Sequence, residues 1–163
     1  MLGDKVPRIK IVAYPAAILD RKMQPVAFPV SDELLGKIIE AGLWLAEDPG
    51  AAGVAAPQLN IDARFFLVKV MPERRVILVV NPEIIYRKDF HTNREGCLSL
   101  PGKLFTVRRP GIIKVKYQDI DGASHTLKAH DRLAACIDHE NDHLDGFTVV
   151  DRERGIVSPR RSA

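Results

Sequence analysis

Between residues 32 and 47, apolar positions recur with a helical period. Leu35, Ile38, Ile39, Leu45 and Ala46 fall at separations of three, four and seven, one face of an α-helix. Ser31 stands where an N-cap belongs, and Asp32 and Glu33 follow in the first turn, where the helix dipole favours acids. Pro49-Gly50 stops the run. The spacing therefore predicts a first helix over about 32–47, preceded by an extended, irregular stretch punctuated by Pro15, Pro25 and Pro29. Beyond it, RFFLVKV (64–70) and VILVV (76–80) are continuous apolar runs of strand length. GIIKVKYQDIDGASHTLKAH (111–130) has the pattern of a hairpin with Asp121-Gly122 at its turn. Asp131 is placed to cap a second helix carrying Leu133, Ala134 and Ile137, and Gly146 is placed to end it. Strands come first and this helix last. The expected class is α+β: antiparallel or mixed sheets around a central C-terminal helix, with one N-terminal helix, in one domain over 1–163.

That second helix changes the picture, because it holds H-E-x-x-H: His139, Glu140 and His143. One helical turn separates the two histidines, so both imidazoles reach one spot. A catalytic metal site needs a third protein ligand and an open position. The downstream completions fail. Position 149, where one protease group has a third His, is Val149, and the only later Glu is Glu153, in a short Arg-rich tail. Upstream candidates are His91, His125, His130, Cys97 and Cys136. His125 in the hairpin and His130 before the cap are expected at the surface. Cys136 lies one turn before His139, but one rigid helix does not readily offer three ligands in tetrahedral directions, so it is expected as a small wall residue. Cys97, in REGCLSLPG, sits in a tight turn flanked by Gly96 and Pro101, and thiolate suits a borderline metal. On chemistry Cys97 leads, with a buried structural cysteine as the alternative.

Composition narrows the setting. The chain has 163 residues, 46% apolar and 28% charged, with a net charge of +3 and a pI of about 8.9. A balance this mild does not argue for specific DNA binding. No apolar run approaches the roughly 20 residues of a membrane span, and MLGDKVPRIKIVAYP lacks the apolar core of a secretory leader. Two cysteines beside a metal motif read as thiols in a reducing, cytoplasmic setting.

Three motifs now stand in order: GVAAPQ (53–58), EGCLS (95–99) and HENDH (139–143). Together with IVAYPAAILDRKMQPV (11–26), they resemble the peptide deformylases over about residues 9–150. The resemblance implies removal of formate from N-formylmethionyl chains by a monomeric enzyme. It implies Cys97, His139 and His143 as metal ligands, with iron(II) as the metal and zinc, nickel or cobalt as substitutes. It assigns oxyanion donors to the Gln58 amide and the Leu98 N–H. It lays substrate along the strand edge at Gly53, and it puts the methionine side chain near Ala52, Ala135 and Cys136. Glu140 directly follows a ligand, so its carboxylate can move the proton of the attacking water. Three features depart from the family pattern: Ala51 replaces a glycine, Asp138 replaces a common glutamine, and Gly155 and Pro159 lead us to expect no long C-terminal helix after the motif. The arginines of DRERGIVSPRR suggest either a solvated terminus or weak ribosomal RNA docking. Two rival readings need different features. A general metallopeptidase needs a cleft spanning a peptide bond, and a structural metal module needs a fourth protein ligand but neither Glu140 nor Gln58.

Overall fold

The computed structural model describes residues 6–156. Helix α1 spans Asp32–Glu47, and the Ser31 hydroxyl accepts a hydrogen bond from the Leu34 N–H, the expected cap. Its buried face is Ile38, Ala41 and Leu45. Ile39 departs from the predicted stripe: it and Leu43 point outward, each more than half exposed.

Five strands form one antiparallel sheet in the order β1-β2-β3-β4-β5. They are β1 (Gly53–Ala55), β2 (Phe65–Val70), β3 (Arg75–Cys97), β4 (Leu100–Gln118) and β5 (Ser124–His130). The sheet is thus wholly antiparallel. β2 and the start of β3 match the two apolar runs, but β3 continues for 23 residues. Its pairing with β4 shifts register between Val80 and Glu83, Ile84 and Tyr86, and Glu95 and Cys97. Such bulges bend a strand and increase its twist. Pro82, which has no N–H to give a ladder, falls within the first of them. The β4–β5 turn is where Asp121-Gly122 indicated, with Gly122 at φ +85° and the Asp119 carboxylate accepting from the Asp121 and Ala123 N–H groups.

Helix α2 (Asp131–Leu144) packs on the sheet and carries HENDH. Asp131 is its first residue rather than its side-chain cap. The N-cap is His130, and no side chain caps the helix. Gly146 follows at φ +80°, and a Cβ there would stand 2.9 Å from the backbone of Asp20 and Arg21, so glycine is needed both for the turn and for the approach. Ala134, Ile137 and Leu144 of α2 join Phe66, Val68, Val79, Ile113 and Val115 of the sheet in the main core. After α2 the described residues form one further short helix, α3 (Val149–Glu153).

Candidate active site

α2 presents its polar face to a buried centre: Asp138, His139, Glu140, Asp142 and His143 are all buried. Cys97, from the end of β3, meets the two histidines there. One donor atom from each of Cys97, His139 and His143 lies within 4.8 Å of the others, and Cys97 Sγ is 3.5 Å from His143 Nε2. The imidazole rings meet edge to face, 5.1 Å between centroids. His139 Nδ1 is held 2.8 Å from Glu95 Oε1, which turns Nε2 toward the cluster. One thiol and two imidazoles in a tight set suit a divalent metal. Glu140 Oε2 is buried beside them with no hydrogen-bond partner among the described residues, as suits a group whose partner is a bound water or substrate. Cys97 and His139 also line a cavity of about 650 Å³, so the cluster is open on one side.

The remaining expected residues converge here as well. Gln58 ends a short 3-10 turn (Ala56–Leu59) after β1. Its Oε1 accepts from the Ala55 N–H at 3.0 Å, and its amide nitrogen points to Ser99 Oγ at 3.2 Å and Cys97 Sγ at 3.6 Å. The amide is thereby aimed at the cluster. Gly53, Ala52, Leu98, Ala135 and Cys136 all line the cavity. Gly53 touches α2 closely: a Cβ there would lie 2.9 Å from both Cys136 Sγ and Glu140 Oε1. Ala51, in place of a glycine, is buried without a positive φ, so its methyl group is accommodated. His125 and His130 are exposed, as expected.

Sequence reasoning missed the ion-pair network behind the cluster. Arg109, from β4, is fully buried. It donates to Glu95 at 2.6 Å, to Asp138 at 2.9 Å and to Asp142 at 2.6 Å. Arg87 pairs with Asp138 at 2.8 Å. Arg152 of α3 donates to both oxygens of Asp142 at 2.7 Å. The unusual Asp138 is therefore compensated by arginines. Arg152 turns inward rather than serving a solvated tail; Arg160 and Arg161 lie outside the described residues. The available signal was Glu95 in EGCLS, since a carboxylate one position from that Gly-Cys turn is a natural partner for a ligand histidine.

The charges shape the titration. Burial raises Glu95, but His139 and Arg109 outweigh it and hold its pKa at about 2. Burial pushes Glu140 up to about 7, partly opposed by His139. Burial lowers His143 to about 3, with His139 adding to the effect. His139 itself is raised: burial disfavours its charge, but Cys97 and Glu95 prevail. Burial, then the charges of Glu140 and Glu95, push the Cys136 thiol well up, which keeps it neutral and a poor ligand.

An α+β fold that brings a Cys/His/His cluster and an unpartnered carboxylate to an open cavity defines a metal-dependent hydrolase. The family model for polypeptide deformylase matches residues 9–159. A peptide deformylase of Hydrogenovibrio crunogenus is 36% identical over 154 residues, 94% of this chain and 90% of its own. The crystal structure of peptide deformylase from Thermotoga maritima superposes with a TM-score of 0.78 at 33% identity, covering 93% of this chain and 98% of that one. A Met-Ala-Ser-bound class I type b peptide deformylase from Acinetobacter baumannii gives 0.82 at 27% identity, over 91% and 99%. The chain belongs to the polypeptide deformylase family, and its activity is the hydrolytic removal of the N-formyl group from nascent peptides.

Proposed function

We propose that Cys97, His139 and His143 hold one divalent metal ion, iron(II) in the cell, with zinc, nickel or cobalt able to replace it, and that the centre acts on N-formylmethionyl peptides. When bound, the ion supplies Lewis acidity, polarising the formyl carbonyl and making water acidic enough to attack near neutral pH. Glu140 accepts the proton of the attacking water and returns it to the amine as the formyl C–N bond breaks, leaving formate and a free N-terminus. The Gln58 amide and the Leu98 N–H donate to the oxyanion that forms on the formyl oxygen, each worth about 3 kcal/mol when removed from such a site. Glu95 fixes the ring of His139 through Nδ1, and Arg109 fixes Glu95.

β1 is an edge strand of the sheet, and Gly53 at its start lines the cavity. An extended peptide can add there through its main chain, blind to most side chains. The Met-Ala-Ser tripeptide of the Acinetobacter baumannii enzyme suits that arrangement. The methionine side chain lies against Ala52, Ala135 and Cys136. The protein works as a monomeric, single-domain cytoplasmic enzyme, with ribosome contact confined to weak docking by the exposed Arg154 and its neighbours. Among the described residues no helix is long and apolar enough to cross a membrane.

The observation that carries the reading is the buried, unpartnered Glu140 Oε2 beside the cluster. Its test is formate release from formyl-Met-Ala-Ser after anaerobic iron loading. Glu140→Ala should retain the metal yet lose at least about 100-fold in rate, the lower range for acid–base catalysis. Near-normal turnover of that variant at full occupancy would remove Glu140 from the role. Cleavage between methionine and alanine without formate would indicate a peptidase.

A further inference from the structure

Two rows of side chains lead from the metal cluster to the mouth of the cavity, and they change character on the way. On α2 the cavity-lining residues are Asp131 at its start and then Arg132, Ala135, Cys136, His139 and Glu140, the last five spaced three and four apart on one helical face. On β3 the lining residues include His91, Asn93, Glu95 and Cys97, alternate positions of one strand, with Arg94 and Gly96 between them. Beside the cluster the walls are small: Gly53, Ala52, Ala135 and Cys136. Arg132 lies seven residues before His139, about 10 Å along the helix axis, and Asn93 lies four residues before Cys97. Along these two elements, the lining farther from the cluster is therefore polar.

Among the described residues, neither the Asn93 nor the Arg132 side chain is engaged in a hydrogen bond or an ion pair. Arg94 also lines the cavity; among the described lining residues the acids are Asp131, next to Arg132, Glu95, bound by Arg109 and His139, and Glu140. A guanidinium offers five donors and no acceptor, and a carboxamide offers both. Such an end is matched by a side chain that brings an oxygen acceptor, not by a thioether alone. The lining leaves room for it, because Ala52 and Ala135 stop at one methyl each.

We propose that Asn93 and Arg132 form a polar end to the side-chain pocket, widening the substrates from N-formylmethionyl peptides to N-formylated peptides that begin with glutamate or glutamine. The proposal rests on the deformylase reading above and on its placement of the first side chain against Ala52 and Ala135. The chemistry at the formyl group is unchanged. Only the residue whose side chain passes Ala135 differs, and its terminal oxygens accept hydrogen bonds from Arg132 and Asn93.

The test compares kcat/KM for formate release from formyl-Met-Ala-Ser, formyl-Glu-Ala-Ser and formyl-Gln-Ala-Ser by the iron-loaded protein. In Arg132→Leu the ratio of the glutamate to the methionine peptide should fall at least about tenfold, as for a lost charge-assisted hydrogen bond. Arg132→Lys, which keeps the charge, should recover part of that loss. Rising salt should erode the glutamate ratio more than the glutamine ratio. Asn93→Leu should lower both ratios. Arg132 is exposed, and thermal unfolding of each variant checks that the fold survives. A glutamate-to-methionine ratio that Arg132→Leu leaves unchanged, with methionine turnover intact, overturns the proposal and leaves the deformylase reading standing. Absence of formate from all three peptides overturns that reading, and the proposal with it.

Discussion

Replacing Gly53 by alanine tests how tightly β1, the proposed substrate edge, is set against α2. The added Cβ would sit 2.9 Å from Cys136 Sγ, 2.9 Å from Glu140 Oε1 and 3.0 Å from Glu140 Cγ. Ordinary contacts between such atoms are about 3.5–4.0 Å, so something must retreat by roughly half an ångström to one ångström. β1 cannot easily yield, because Gly53, Val54 and Ala55 are paired in register with Val68, Leu67 and Phe66. The α2 backbone is fixed against the core by Ala134 and Ile137. The Glu140 side chain is then the part that moves. Overpacking of this kind costs about 1–3 kcal/mol, out of roughly 5–15 kcal/mol for a typical domain, so Gly53→Ala should remain folded at 25 °C. Displacing a reacting group by about 1 Å can cost on the order of 100-fold in rate. The expected signature is a loss of kcat near 100-fold with modest loss of stability and full metal content, measured by formate release, urea unfolding and metal analysis. Adding Cys136→Ala removes one of the clashes and should restore stability more than turnover. Turnover of Gly53→Ala within about threefold of the parent would refute the reasoning, since 1 Å should cost far more.

Cys97→Ser should empty the metal site on dialysis while Cys136→Ser should not; metal analysis showing the reverse would overturn the ligand assignment. Arg109→Leu strands Glu95, Asp138 and Asp142 without their shared cation, and should destabilise the protein by about 3–5 kcal/mol in urea unfolding, as for other broken buried pairs. Glu95 titrates at about 2 instead of its ordinary 4.5. A depressed acid stabilises above its unfolded pKa and loses that contribution as pH falls through the folded one. The unfolding free energy of chelator-treated protein should therefore drop between those two pH values, and Glu95→Gln should flatten that part of the profile.

Much of the scaffold was legible because local signals agreed with the fold. Ser31 caps α1 as its position suggested, FFLVKV is β2, and Gly146 ends α2 at positive φ. The cluster was legible because two of the proposed ligands share one helical turn and the third lies in a marked Gly-Cys turn. The rest depended on distant pairing. β3 past Val80 carries Pro82 and the charged run Arg87-Lys88-Asp89, which hides a strand whose order comes from its ladder with β4. Ile39 fits the helical period, yet α1 buries a narrower stripe than its apolar content allows. Arg109 gave no sign of burial, because a lone arginine reads as surface until the three acids it joins are brought together by β3, β4 and α2.

The exposed turn after β2, Met71 to Arg74, divides the working parts of the molecule unequally. Gly53 and Gln58 precede it; Cys97, His139, Glu140 and His143 follow it. During synthesis the segment proposed to hold substrate is finished before the segment proposed to hold the ion, and the β2–β3 ladder is the seam that unites them. A break at that turn would leave Gly53 and Gln58 on one fragment and Cys97, His139 and His143 on the other, and would also split the core, in which Ala134 and Ile137 of α2 pack on Phe66 and Val68 of β2. The β2–β3 ladder, six residue pairs from Phe65–Val80 to Val70–Arg75, is thus what holds the two halves of the site in one frame.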